Sequence, residues 1–411
     1  MLFALAPAEG AVSLPQVLLV LAVVLGTAKL FGELAERIGQ PAVLGELIAG
    51  VVLGPSLLAV VDPGSELLHV LAEIGVLILL FSIGLETNLK QLLSVGGAAA
   101  TVALVGVVLP FGLGFLVAEA FGLEQLPALV MAAALTATSV GITARVLSDL
   151  GRLQDPESQV VLGAAVLDDI VGLIILSLVS GLVAGGELTL GNIGLTTLLA
   201  FGFVGVALLV GPYIVPPIFD RLARLGKPAT LATMALVTAF LVAVLADRVG
   251  SALIIGAFTA GLLFAPTRHA HTVEEGVVRL GQFFVPIFFV SVGAAVDVRT
   301  FADPQVLAVG GALIVCAIVG KVLAGYAPFW FKGRKLVVGV GMVPRGEVGL
   351  IFAQTGLAAG VLTSGLFSAV TLMVMVTTFV APPALKRLLG PARGRPPLPS
   401  DDRPGELVNE A

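Results

Sequence analysis

The stretch Ser158–Gly186, SQVVLGAAVLDDIVGLIILSLVSGLVAGG, decides the fold. Between Glu157 and Glu187 its only charges are Asp168 and Asp169, near the middle of an apolar run. About 20 consecutive apolar residues cross the hydrocarbon core of a bilayer as one helix. A carboxylate at the centre of such a helix costs about 2.5–3.5 kcal/mol on insertion scales, and a second beside it adds repulsion. Residues held at that cost are candidates for function first and for glue between helices second. Neighbouring helical residues point about 100° apart. Asp168 and Asp169 therefore address different surroundings, and one can meet a fixed positive group while the other lines a wet cavity.

The rest of the chain repeats the same signal. Of 411 residues, 58% are hydrophobic and 12% are charged, and the mean hydropathy is +1.09. A soluble domain carries about 25% charged residues, so a water-soluble fold is excluded. Polar, Pro and Gly punctuation cuts the chain into thirteen apolar segments: 15–37, 41–61, 68–86, 95–118, 125–148, 158–184, 190–218, 229–247, 249–265, 274–296, 304–330, 335–358 and 363–386. The expectation is an all-α polytopic membrane protein with about thirteen transmembrane helices, its membrane domain occupying 1–390. The Pro-rich polar tail 391–411 is expected to be disordered. Residues 1–14 hold no Lys or Arg, which argues against a secretory signal. The lone Cys316 can form no internal disulfide. His269 and His271 are read as solvated loop residues rather than a metal pair.

Basic residues orient the chain. Seventeen of the 22 Lys and Arg fall in one alternate set of loops and span ends, against Arg248 and Arg299 in the other. The positive-inside rule then puts the N-terminus outside and the C-terminus in the cytoplasm.

The chain also repeats itself. Ala49–Pro55 (AGVVLGP) matches Ala260–Pro266 (AGLLFAP), 211 positions on. Phe81–Gly84 (FSIG) matches Val290–Gly293 (VSVG) at 209, and Ser139–Ile142 (SVGI) matches Glu347–Leu350 (EVGL) at 208. Matched segments lie seven apart, an odd number, so the two halves cross the membrane in opposite senses. Such inverted-topology repeats mark secondary transporters, with the substrate site near the midplane.

Two matched segments look broken. One holds Thr136–Arg145 (TATSVGITAR), the other Gly341–Gly349 (GMVPRGEVG). Pro344 removes a backbone donor and clashes with the preceding turn, so the helix should unwind there. Unwound backbone at membrane depth is tolerated only inside protein or along water, where freed carbonyls can hold a cation. Arg345 and Glu347 are read mainly as supports that compensate the half-helix dipoles. Lys321, in the eleventh segment, is the positive group available to the Asp pair, as a structural neutraliser or a proton carrier. Glu46, Glu73 and Glu86 are also intramembrane acids, for which a direct ion-binding role is not expected.

These motifs resemble bacterial sodium/proton antiporters of the NapA type, in the second branch of the monovalent cation/proton antiporter superfamily. The resemblance rests on Gln40–Leu58 (QPAVLGELIAGVVLGPSLL), Leu79–Leu89 (LLFSIGLETNL), Thr136–Leu147 (TATSVGITARVL), Leu162–Ile174 (LGAAVLDDIVGLI), Gly320–Gly325 (GKVLAG) and Val343–Ile351 (VPRGEVGLI). It implies a homodimer in the bacterial inner membrane with a core domain over about 95–184 and 304–386. A dimerisation domain would take about 15–86 and 229–296, and a linker helix about 190–218. It further implies Asp169 as the principal Na⁺ and H⁺ site, Asp168 paired with Lys321, and Thr138 and Ser139 at the unwound stretch. The double Asp is similar to the electrogenic type. No cofactor, enzymatic activity or nucleic-acid partner is implied. K⁺/H⁺ exchange, organic-anion symport and a channel stand as alternatives.

Overall fold

The computed structural model describes residues 14–183, 190–225, 228–296, 298–299 and 303–390. Every regular element among them is helical. The expected tail from Pro391 lies outside the described residues.

Each of the thirteen apolar segments holds one helix or an interrupted pair. The first three give α1 (Leu14–Arg37), α2 (Ala42–Leu53) and α3 (Glu66–Glu86). A short α4 (Leu89–Ser94) precedes α5 (Gly96–Ala120). Its first turn is capped by Asn88, whose Oδ1 accepts from Lys90 N at 3.0 Å and Gln91 N at 3.3 Å. The fifth segment divides into α6 (Gln125–Ala134) and α7 (Val140–Asp149). Then come α8 (Pro156–Val183), α9 (Leu190–Leu225), α10 (Pro228–Arg248), α11 (Leu253–Phe264), α12 (Ala270–Ala294) and α13 (Pro304–Ala324). The twelfth segment divides into α14 (Lys335–Gly341) and α15 (Glu347–Ala358), and α16 (Ser364–Leu389) closes the fold. Among the described residues nine helices are long and apolar enough to cross a membrane. Three boundaries move by six residues or more: α2 ends at Leu53, where Gly54-Pro55 starts a turn, α13 ends at Ala324, before Gly325 and Pro328, and α9 runs on to Leu225.

The helices assemble into two packed groups. One joins α1, α2 and α3 to α10, α11 and α12; the other joins α5, α6 and α8 to α13, α15 and α16. α7 stands between them, against α2 and α3 on one side and α8 and α16 on the other. A continuous apolar cluster bridges the groups, from Leu47, Val76 and Phe289 to Ile142, Leu162 and Leu385.

The first group is drawn together by glycine. Gly50 of α2 lies against Gly293 of α12, and Gly84 of α3 against Gly261 of α11. A β-carbon at any of the four would collide with the facing backbone, so only glycine permits these approaches. The sequence repeat maps Gly50 onto Gly261 and Gly84 onto Gly293, and so maps one contact onto the other. The outer faces of α1 and α9 carry exposed Leu14, Leu18, Leu30, Leu198, Leu209 and Tyr213. Uncovered apolar faces of that extent belong in lipid.

Candidate functional site

The site lies where the two interrupted segments cross. α6 stops because Leu135 and Thr136 turn their amides back to Ala132 and Ala133, three residues behind, and the chain then extends through Ser139. α14 stops at Met342, and Val343–Gly346 run unwound over Pro344 before α15 begins. The extended stretches touch: Ser139 N donates to Pro344 O at 2.9 Å. The crossing is close because Gly346 has no side chain. A β-carbon there would sit 2.8 Å from both Cβ and Oγ of Ser139.

Such a crossing strands carbonyls away from water, where each needs a donor. Four of the five from Gly341 to Arg345 have one. Gly341 O accepts from Thr143 Oγ1 at 2.6 Å, and Met342 O accepts from Thr138 Oγ1 at 3.3 Å. Pro344 O takes the Ser139 amide, and Arg345 O accepts from Thr378 Oγ1 at 2.5 Å. On the facing strand, Ala137 O accepts from Arg345 Nη1 at 3.2 Å. The same Nη1 reaches Met342 O at 3.4 Å and Thr138 Oγ1 at 3.5 Å. Arg345, wholly buried, thus sits at the C-terminal ends of α6 and α14, where helix dipoles favour positive charge. The carbonyls freed at the breaks thus accept from hydroxyls, a backbone amide and a guanidinium.

α8 brings its carboxylates to this crossing. Asp168 is fully buried and Asp169 is 4% exposed. Lys321 Nζ, from α13, lies 2.8 Å from Asp168 Oδ2 with both side chains fully buried. Lys321 reaches that depth because α5 is thin at Gly106: a β-carbon there would meet Nζ at 3.2 Å and Cδ at 3.4 Å. Gly320 likewise admits Pro110 of α5. Asp168 Oδ1 is buried without a hydrogen-bond partner among the described residues. One helical turn on, Gly172 faces Ala137 and Val348 across the crossing.

Five residues singled out in the sequence therefore meet at one place: Asp168 with Lys321, and Thr138, Ser139 and Arg345 at the crossing. Asp169 shares the turn. Glu347 begins α15, but its side chain lies outside the described residues. Sequence reasoning missed Thr143 and Thr378, whose hydroxyls donate to Gly341 O and Arg345 O; a Thr in an apolar helix opposite a break was the available signal. Glu46 is buried on α2, while Glu73 is half exposed and pairs with His69 at 3.2 Å.

A two-group helical membrane fold, with a buried ion pair beside two crossed helix breaks, defines a polytopic secondary transporter. Residues 19–390 match the family described as sodium/hydrogen exchanger, transmembrane, and the chain belongs to that family. It is 41% identical to the high-affinity Na⁺/H⁺ antiporter NhaS3 of Synechocystis, over 94% of this chain and 93% of that one. It is 37% identical to the Na⁺/H⁺-K⁺ antiporter GerN of Bacillus cereus, over 90% and 95%. The fold is similar to that of the sodium proton antiporter MjNhaP1 from Methanocaldococcus jannaschii, with a TM-score of 0.66 at 17% identity, covering 90% of this chain and 96% of that one.

Proposed function

We propose that this protein is a secondary active antiporter that exchanges Na⁺ for H⁺ by alternating access, with Asp169 as the exchange site. The observation that carries the reading is a pair of buried carboxylates on α8 beside the two crossed helix breaks. Asp168 is bound to Lys321 at 2.8 Å, and Asp169, one position on, is 4% exposed and points about 100° away around the helix; it is the carboxylate assigned to the travelling ion. A carboxylate that binds either a proton or a dehydrated cation, but not both, makes the two compete. Loading from one side and release to the other then couples their fluxes.

Thr138 and Ser139 complete the site, and Lys321 neutralises Asp168 or carries a second proton. Arg345 and Glu347 support the crossing. The group containing α5 to α8 and α13 to α16 acts as the moving core, and the glycine-locked group as the dimerisation domain of a homodimer, with α9 linking them. The repeat and the paired glycine contacts support an inverted-topology architecture. The 17-to-2 division of basic residues supports an inner-membrane orientation with the N-terminus outside and the C-terminus cytoplasmic. Exchange is electrogenic in this reading, and the protein is a carrier rather than an enzyme.

Asp169→Asn removes the titratable oxygen and keeps the shape. It is expected to abolish Na⁺-dependent proton release from proteoliposomes while the protein stays monodisperse. Undiminished release would end the proposal. A K⁺/H⁺ reading is favoured by one observation, the similarity to GerN, a Na⁺/H⁺-K⁺ antiporter. Titration with Na⁺, Li⁺ and K⁺ in the same assay separates the two.

A further inference from the structure

The carbonyl of Arg345 sits one residue before the N-cap of α15, outside the helix, so no helical amide reaches it. It is buried at membrane depth, where an unpaired carbonyl is costly. The Thr378 hydroxyl of α16 supplies the donor at 2.5 Å, and Thr378 is itself 1% exposed. The same residue carries at its other end the guanidinium that spans Ala137 O, Met342 O and Thr138 Oγ1. Rotation of the Arg345 peptide would therefore swing the guanidinium off the site.

The neighbouring Thr377 shows that this is not merely a hydroxyl hidden in a helix. Thr377 Oγ1 bonds within its own helix, to Met373 O at 2.8 Å and Val374 O at 2.9 Å. Thr378 instead reaches across to another segment. α8 and α16 are also counterparts seven segments apart, and the repeat offsets of 208–211 carry Asp169 onto positions 377–380 of α16, where Thr377 and Thr378 lie. The carboxylate of Asp169 on α8 and the hydroxyl of Thr378 on α16 each stand beside a helix break. Thr378 also borders an apolar gap against Val292 of α12 and Val296 just beyond its end, so it joins the crossing to the face where the two helix groups meet.

We infer that Thr378 is a positioning residue for the transported cation: its hydroxyl fixes the Arg345 peptide, and through it the guanidinium and carbonyls that shape the site around Asp169. The inference rests on the exchange site proposed above. Thr378→Val keeps the volume and removes the donor. It is expected to raise the apparent KM for Na⁺ about tenfold, the effect of losing one buried hydrogen bond, with the maximal rate little changed. Thr378→Ser restores the donor and should return the KM to wild type. Thr377→Val should leave it unmoved. Should Thr378→Val not purify as a monodisperse protein, Thr378→Cys, similar in size and a far weaker donor, is read in its place with the same expected rise. The inference is overturned by a wild-type KM in the Val or Cys variant. It is equally overturned by a Ser variant as impaired as Val, by Thr377→Val matching Thr378→Val, or by a fall in maximal rate alone. Full exchange by Asp169→Asn sinks the site itself; a dead Asp169→Asn with a wild-type Thr378→Val sinks only the role of Thr378.

Discussion

Asp168 and Lys321 are the two charges whose roles are most constrained. Their contact of 2.8 Å with no solvent exposure places an ion pair where neither member can survive alone. Desolvation makes a buried pair a weak source of net stability, yet removal of one partner strands the other at a cost of about 3–5 kcal/mol. Asp168→Asn is therefore expected to lower the thermal midpoint sharply. Asp168→Asn combined with Lys321→Gln, which strands no charge, should recover most of that loss. Scanning fluorimetry of the two purified variants checks this, and equal midpoints would remove the pair from the structural account. Asp168, Asp169 and Lys321 were all legible in the sequence, because a charge inside an apolar run stands out without any structure. Thr143 and Thr378 were not, because hydroxyls are unremarkable in membrane helices, where they commonly bond within their own helix as Thr377 does. Their partners, Gly341 O and Arg345 O, lie in distant sequence.

At the scale of elements, the interrupted helices are the feature on which the site depends. Pro344 and the surrounding glycines foretold an opening in the twelfth segment. In the fifth, Thr136, Thr138, Ser139 and Gly141 gave a weaker signal that proved sufficient. What they did not foretell is how tightly the two openings are bound to one another. The Ser139–Pro344 backbone bond at 2.9 Å ties the breaks together, and Gly346 lets them approach. Gly346→Ala would put a β-carbon 2.8 Å from Ser139 Oγ, a backbone-anchored clash rather than one a flexible side chain can absorb. It should cost about 1–3 kcal/mol of stability, the usual cost of overpacking, and depress exchange more than protein yield. Parallel measurement of melting and transport tests this: normal transport in Gly346→Ala would mean that the crossing is looser than its geometry requires. The Arg345 guanidinium likewise explains how two C-terminal helix ends can face each other at one point, since its charge offsets both dipoles.

At the scale of the whole molecule, the two helix groups are built by different means. The first depends on backbone-to-backbone approach at Gly50–Gly293 and Gly84–Gly261, as expected where lipid removes the hydrophobic drive for helices to associate. The second closes around Gly106, Gly320 and Pro110 to admit Lys321. Gly84→Val would force α3 from α11 and is expected to lower the thermal midpoint and the yield of folded protein, whereas Gly112→Val, at a position with open space for a β-carbon, should do neither. Size-exclusion profiles of the two variants provide the comparison, and similar profiles would count against glycine packing as the source of cohesion.

The sequence by itself determined the membrane class, the positions of the apolar segments, the places where two helices break and the costly charges among them. Those features are local: hydropathy, backbone chemistry at Pro and Gly, and the solvation of a carboxylate each act on residues near in the chain. Only the tertiary structure decided that Lys321 reaches Asp168 across 153 positions, and that the carbonyls freed at the breaks are already held by Arg345, Thr138, Thr143 and Thr378. Those pairings depend on which helix faces pack together, and in lipid that is set by small residues and buried polar contacts rather than by the hydrophobic pattern that reveals the helices.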